Sequence, residues 1–568
     1  MHYAALATDY DGTLARDGIV DAPTIAALER LRAASRRIVL VTGRELDDLQ
    51  RVMPRLDLFD RVVAENGAVV YRPATKETRP LAPPPPPQFV TRLRELGVAP
   101  LSVGRAIVAT WEPNETHVLQ AIRELGLELH IIFNKGAVMV LPGDVTKASG
   151  LRAALDELGL APLNCVGIGD AENDMSFLAL CGATVAVANA LPALAERAAL
   201  VTRGARGAGV AELIDAMLHD DLAELDARAS AQRVTLAAGP DGAEDLTFVP
   251  HRETLLLFGA SGGGKSTLTT GLLERLSAGG CQWCVIDPEG DYEGTEEAVG
   301  IGTADTPPAI ERVTELLRRP GNNVIVNLLG LGLADRPAFF AALLPELLSL
   351  KNRLGRPHMV LVDEAHHLLP EPFDPGGALL PDDLAGFLFV TVHPDRLARR
   401  TLETVDRILV VGADPADPLA AFSKARGLPP PPAGLRLEPG ELLTRAVDEE
   451  TLRRMRVIPA RAARQRHRRK YAEGRLGEDA SFYFRGPDGS LNLRAHNLHL
   501  FTQIGEGVDE ATWQHHRAQG DYSRWIATAI KDEALAEEVA AIERGEADPA
   551  AARAAMKQAI ERRYTLPA

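Results

Sequence analysis

The sequence predicts a multidomain α/β protein, and three observations carry that prediction. Apolar, strand-like runs alternate with helical stretches over the first 80 residues and again from residue 254, the pattern of mostly parallel sheets flanked by helices. Two of these runs end in dense polar signatures. Tyr3-Ala4-Ala5-Leu6-Ala7 leads to Asp9-Tyr10-Asp11-Gly12-Thr13, and Thr254-Leu255-Leu256-Leu257-Phe258 leads to Gly259-Ala260-Ser261-Gly262-Gly263-Gly264-Lys265-Ser266-Thr267. Proline runs at 83–87 and 429–432 break the chain, and its 568 residues exceed what one core holds. At roughly 150 residues per domain, three or four are expected.

In order, the first unit reads as the strand before Asp9, a helix near 24–34, the strand Arg37–Val41, a helix near Leu46–Val52, and strands Arg61–Ala64 and 68–71. The prolines at 83–87 read as a stiff linker. Residues 81–142 form a small α+β module: a helix near 89–96, a strand near 106–111, a helix near 115–125 and a strand pair at 127–133 and 137–141. Lys147 opens the next helix, a strand at 165–168 reaches Asp170, and closing strands and a helix follow. Residues 1–80 and 143–220 thus make one core around the inserted module.

Residues 221–428 read as a second α/β domain, approached through a helix and a short strand at 220–250. Gly-x-x-x-x-Gly-Lys-Ser/Thr between an apolar strand and a helix (268–276) lets successive backbone N–H groups curl round a phosphate. Gly259, Gly262, Gly263 and Gly264 shape that loop. Lys265 reaches the terminal phosphates, and Ser266, followed by Thr267, binds magnesium. A strand at 283–286 leads to Asp287-Pro288-Glu289-Gly290-Asp291-Tyr292, Asn323–Asn327 is buried, and a strand at 359–362 ends in Asp363-Glu364-Ala365-His366-His367. A further strand at 387–392 ends at His393.

Residues 429–568 read as a linker and a small, mostly helical recognition domain without an assigned ligand. Arg461, Arg464, Arg466, Arg468, Arg469 and Lys470 crowd one helix, a solvated face or a phosphate-contacting one. A hairpin follows near 481–494. The helical stretch with Trp513, His515, His516, Tyr522 and Trp525 is unusually aromatic for a chain with 5% Phe, Trp and Tyr. The last residues read as an exposed amphipathic helix.

Composition narrows the function. With 46% hydrophobic and 25% charged residues this is an ordinary soluble protein, and a net charge of −16 argues against bulk nucleic-acid binding. Four cysteines make no disulfide framework and point to a reducing compartment. Cys281 and Cys284, three apart on a strand, face opposite sides and are poorly placed to share a metal or a disulfide. No signal peptide precedes Asp9 and no apolar run is long enough to span a membrane, so the expected location is cytoplasmic.

Asp9 and Asp11, two apart at a strand end, are expected to project together, and such a pair needs a cation or a shared proton. The Asp-x-Asp-Gly-Thr motif resembles the first signature of the haloacid dehalogenase-like phosphatases. Val41-Thr42-Gly43-Arg44, Glu65-Asn66-Gly67-Ala68, Lys147 and Gly169-Asp170-Ala171-Glu172-Asn173-Asp174 follow in that family's order, with the Glu65 segment typical of its Cof-like (type IIB) branch. The resemblance implies a Rossmann-like core with a reduced cap, and magnesium-dependent hydrolysis of a small phosphorylated substrate such as a sugar phosphate. Asp9 would be the nucleophile and Asp11 the general acid and base. Thr42 and Lys147 would hold the phosphoryl group, joined by Thr13, Gly43, Arg44 and Asn66. Asp9, Asp11 (through its carbonyl) and Asp170 would bind the metal, with Asn173 and Asp174 completing that shell.

Over about 250–415, Gly-Lys-Ser, Asp-Pro-Glu-Gly-Asp-Tyr and Asp-Glu-Ala-His together resemble the HerA/FtsK-type ATPases. This implies ATP as a ligand, Asp363 holding magnesium through water, Glu364 activating the attacking water, and His393 sensing the γ-phosphate. It also implies a homo-oligomer, with an arginine in trans among Arg399, Arg400 or Arg426. Two alternatives stay open: a polynucleotide kinase/phosphatase-like end-processing enzyme, and an ATP-driven nucleic-acid motor with an accessory phosphatase.

Overall fold

The computed structural model describes residues 2–564, apart from 135, 144, 224–232, 241–242, 296, 372–383, 433, 450, 461–470, 473–475, 477–479, 490, 531 and 546–547. The basic run from Arg461 to Lys470 lies outside the described residues. No helix among the described residues is long and apolar enough to cross a membrane.

The first sheet has eight strands, in the order Leu200–Val201, Ala183–Ala186, Cys165–Gly169, Ala5–Thr8, Arg37–Val41, Arg61–Ala64, Val69–Arg72 and Glu77–Pro80. The first six run parallel and the last two antiparallel. The central strands are apolar throughout because helices cover both faces. Ala22–Ala33 and Gly207–Asp220 pack on one face, and Lys147–Leu158 on the other. Cys165–Gly169, Ala5–Thr8, Arg37–Val41 and Arg61–Ala64 are parallel neighbours, so the residues that follow them, Asp170, Asp9, Thr42 and Glu65, emerge along one edge. That edge is where such sheets place their ligands.

The inserted module packs helices Pro87–Glu95 and Glu115–Glu124 on an antiparallel sheet ordered Ser102–Val103, Val108–Trp111, Ala137–Pro142, Leu129–Asn134. The proline run does not end as a linker. Pro87 opens a helix, where a missing N–H costs nothing.

The second sheet has nine strands: Ala298–Ile301, Asn323–Asn327, Trp283–Asp287, Met359–Val362, Phe387–Thr391, Leu255–Phe258, Arg407–Val411, Glu441–Ala446 and Arg453–Arg456. Seven are parallel, and the last two add antiparallel at the edge. The sheet therefore continues past the expected boundary at 428. Arg453–Arg456 is an edge strand with one buried side chain, Met455, and carries no apolar signal. Two strands stand where one was expected, in the hairpin Val234–Ala237 with Leu246–Phe248, while the stretch 224–232, within which the expected helix falls, lies outside the described residues. Cys281 and Cys284 sit in separate hydrophobic clusters, and burial pushes both thiols up to about 12, so they do not act as a pair.

In the C-terminal unit, strands Phe482–Phe484 and Leu493–Ala495 pair antiparallel beneath helices that include Leu498–Gly507, Glu510–Gln519 and Pro549–Tyr564. Trp513, Tyr522 and Trp525 are its interior, so the aromatic run builds a core. His516 is structural as well: Nε2 accepts from the Arg485 N–H at 2.9 Å and Nδ1 lies 2.8 Å from Asp521 Oδ2.

The two large units meet at a buried polar joint. Asn164 Nδ2 donates to the carbonyls of His2 and Gly355, at 3.0 and 3.1 Å. The fully buried Arg356 guanidinium donates to Gln282 Oε1 and to the carbonyls of Leu317, Arg318 and Gly159. His2 stacks on His251 with ring centroids 3.4 Å apart, and His358 Nδ1 accepts from the Gln282 N–H at 2.9 Å. Burial, with Lys351 and Arg356 nearby, lowers His358 to about 3. The unfolded chain therefore binds a proton on this residue before the folded one does, and its stabilising contribution is present above about pH 6.5 and lost as pH falls. Urea unfolding should show stability dropping between pH 6.5 and 5 by about 2 kcal/mol more in wild type than in His358→Asn, which keeps an acceptor for Gln282.

Candidate active site

The strand end nearest the sheet centre carries the reactive group. The strand stops at Thr8, and Asp9 lies just past it, 5% exposed. Lys147, the first residue of its helix, places Nζ 2.7 Å from Asp9 Oδ1 and 2.6 Å from Asp174 Oδ1. Asp174 also accepts from the N–H groups of Asp170 and Ala171, at 3.0 and 2.9 Å, which fixes the loop that presents Asp170. Carboxylate oxygens of Asp9, Asp170 and Asp174 lie within 4.8 Å of one another. Gly12, at φ +91°, is required here, since a side chain would meet Asp170 Oδ2 at 2.4 Å.

Asp11 lines the same cavity as Asp9 but is engaged by an arginine. The alternation of side chains ends with the strand, and the Asp11 carboxylate turns to Arg44, accepting from Nε at 2.6 Å and Nη2 at 2.7 Å. Arg44 Nη1 donates to Asp48 at 2.6 Å, so this expected phosphate binder is held between two carboxylates. The Thr13 hydroxyl is directed at Asp170 Oδ1 (3.1 Å) rather than at an open anion position. Thr42 is buried and accepts from the Arg44 N–H at 3.1 Å. Asn66, at φ +53°, donates from Nδ2 to Met139 Sδ of the inserted module. Asp9, Asp11, Thr42, Gly43, Arg44, Lys147 and Asn173 line one cavity of about 100 Å³, with Met139 above them.

The electrostatics show what the cluster lacks. Burial, then Asp174, raises Asp9 despite Lys147, whereas Lys147 is itself raised because Asp174 and Asp9 outweigh its burial. The two shifts compete for one proton. A lysine touching two buried carboxylates keeps its charge, and burial beside Asp174 is what raises Asp9. Three buried carboxylates against one ammonium, all donors being oxygen, fit a small hard divalent cation.

Residues 6–85 and 112–214 match the haloacid dehalogenase-like hydrolase family. The phosphoglycolate phosphatase of Methanothermobacter thermautotrophicus is 30% identical over 219 residues, 37% of this chain and 96% of that protein. The chain belongs to the haloacid dehalogenase-like hydrolases. The phosphoglycolate phosphatases of Haloarcula marismortui (33% over 218 residues, 37% of this chain and 95% of the relative) and Halorubrum lacusprofundi (34% over 207 residues, 34% and 89%) align similarly. The family match skips residues 86–111 of this haloacid dehalogenase-like hydrolase, which hold the module's first helix and a turn against the core.

Beyond the matched residues a second cluster forms. Gly259, Gly262 and Gly264 take φ of +148°, +75° and +99°, and Lys265 begins the helix Lys265–Ala278. Lys265 Nζ donates to the carbonyls of Gly259 and Ala260, at 2.9 and 3.0 Å. Gly263 packs beside Gly412, while Ser266 and Thr267 are half-buried at the helix start. The Tyr292 hydroxyl links this helix to the Asp363 strand, lying 2.9 Å from Thr269 Oγ1 and hydrogen-bonding Asp363. Burial, then Glu364 and Asp287, pushes Asp363 up to about 8. Glu364, at φ +41°, approaches His366 Nδ1 at 3.4 Å. His393 stands 5.3 Å, ring to ring, from His366, and its N–H donates to Thr391 Oγ1 at 3.0 Å. Arg399 is ion-paired with Glu403, and Arg426 donates to the Glu403 carbonyl.

Sequence reasoning missed Asp48, Met139 and Thr391, and it quoted Tyr292 within a motif without giving it a role. Asp48 had a readable signal, being four residues after Arg44 at a helix start, whereas Met139 and Thr391 meet their partners only through tertiary packing. Replacing Lys147 by Met leaves the carboxylates without a cation. Urea unfolding in chelator should show a loss of about 3–5 kcal/mol, partly restored by magnesium.

Proposed function

We propose that the first unit is a magnesium-dependent phosphate monoester hydrolase acting on a small phosphorylated metabolite, and that the second binds and hydrolyses ATP. The observation that carries the first reading is the meeting of Asp9, Lys147, Asp170 and Asp174 at one sheet edge. Asp9 attacks phosphorus in line and becomes an aspartyl phosphate as the ester oxygen departs. Asp11 protonates that oxygen and then takes a proton from the water that cleaves the acyl phosphate. Arg44 can release Asp11 to this work because Asp48 remains as its partner. Thr42 and Lys147 hold the phosphoryl oxygens. Asp9 and Asp170 would hold magnesium, which would neutralise charge on the transferring group. Asp174 keeps Lys147 and the Asp170 loop in register, and Asn173 lines the same cavity.

A cavity of about 100 Å³ roofed by Met139 suits a small ester better than a nucleic-acid end. The names of the aligned relatives make phosphoglycolate the first compound to test, beside sugar phosphates and 3′- or 5′-phosphorylated oligonucleotides. Asp9→Asn should lower turnover of the preferred ester by at least about 10³-fold with unchanged melting; retained activity would reject Asp9 as nucleophile.

The ATP reading rests on the glycine loop, Lys265 and the Thr269–Tyr292–Asp363 link. Asp363 and Ser266 would hold the ATP-bound magnesium and Glu364 would activate water. A buried thiol at each of the four cysteines agrees with a cytoplasmic setting. Lys265→Ala should weaken ATP binding at least about tenfold by calorimetry while leaving phosphoester turnover intact.

A further inference from the structure

Glu65 follows the strand Arg61–Ala64, is 1% exposed, and carries no role in the chemistry above. Its side chain leaves the core and enters the inserted module. Oε1 accepts from the Arg105 N–H at 3.1 Å, and Oε2 accepts from the N–H groups of Ala106 and Ile107, at 2.8 and 3.1 Å. Three successive amides curled round one carboxylate make an anion nest, and the turn that forms it is closed by Gly104 N–H to the Ile107 carbonyl at 2.8 Å. Gly104 is what admits the carboxylate: a Cβ there would lie 2.8 Å from Glu65 Oε2 and 2.9 Å from its Cδ. The other polar contacts between module and helix Leu46–Val52, such as Arg105 to Asp47, are exposed and therefore screened.

The backbone beneath Glu65 reaches both residues that would grip phosphate. Glu65 N–H donates to the Arg44 carbonyl at 2.9 Å, and Asn66 N–H to the Thr42 carbonyl at 3.1 Å. Gly67 abuts the start of the lysine helix, where a Cβ would come within 1.9 Å of the Thr146 carbonyl oxygen and 3.1 Å of the Lys147 nitrogen. One three-residue turn thus touches the cap, the Thr42 loop and the Lys147 helix.

We propose that Glu65 is a positioning residue that seats the cap, its carboxylate filling the Gly104–Ile107 amide nest so that cap closure sets Thr42 and Lys147 against the phosphoryl group. The proposal rests on the phosphatase reading for its kinetic consequence but not for its geometry. Charge-assisted bonds to backbone amides are strong when buried yet are broken as a unit when the cap lifts, which suits a reversible seat.

The test uses the full chain with Glu65→Gln, Gly104→Ala and the double variant. Glu65→Gln keeps the size and puts an N–H donor against the nest; Gly104→Ala disturbs the same contact from the cap side. Hydrogen exchange should show amides 105–107 exchanging at least about tenfold faster in each, with rates across the second sheet unchanged. For the preferred small ester, kcat should fall by about 10- to 100-fold, the scale of a small misplacement of catalytic groups, with KM changing less. The double variant should be no worse than the poorer single one, because both remove one contact. Protection of 105–107 that survives Glu65→Gln, losses that multiply in the double variant, or faster exchange spread evenly over the chain would each overturn the proposal. A wild-type chain inactive on every ester would instead sink the phosphatase reading and leave the exchange result to decide the latch.

Discussion

One lysine holds the first centre together. Lys147 lies between Asp9 and Asp174 in a place water scarcely reaches, so the cost of burying each charge is offset largely by the others. Everything around it serves that arrangement. The parallel order of four strands brings the carboxylates to one edge, the Thr146 side chain caps the helix that starts with the lysine, and Asp174 uses its second oxygen to pin the Asp170 loop. Three carboxylates against one ammonium leave the cluster two positive charges short, and that shortage suits it to a divalent cation.

The second cluster repeats the theme with different parts. Acidic groups crowd Asp363, and a lysine at a helix start rests on carbonyls of its own loop. The linkage there runs through a tyrosine hydroxyl instead of an ion pair. Both sites pair a glycine-shaped approach with a fixed lysine.

Much of this was legible in the residue order, for a physical reason. Central parallel strands are buried on both faces and therefore read as apolar runs, which is why Arg37–Val41 and Arg61–Ala64 are found where expected and the polar residues after them fall together. Edge strands such as Glu77–Pro80 and Arg453–Arg456 bury little and leave no such trace. The direction of Asp11 was illegible because side-chain alternation holds only inside a strand, and the chain turns at Gly12. The aromatic run near Trp513 was assigned no ligand because large rings at helical spacing look alike whether they meet a ligand or each other, and here they meet each other.

The joint at Arg356 bears on how far this chain is modular. Its guanidinium donates to carbonyls on both sides, including Gly159 at the end of the lysine helix, and no carboxylate is among those acceptors. A fragment ending near residue 220 would lose the cover over Asn164 and His2, and in the complementary fragment Arg356 would lose the Gly159 carbonyl while keeping Gln282, Leu317 and Arg318. The joint is more than a tether: each half forms part of the other's interior.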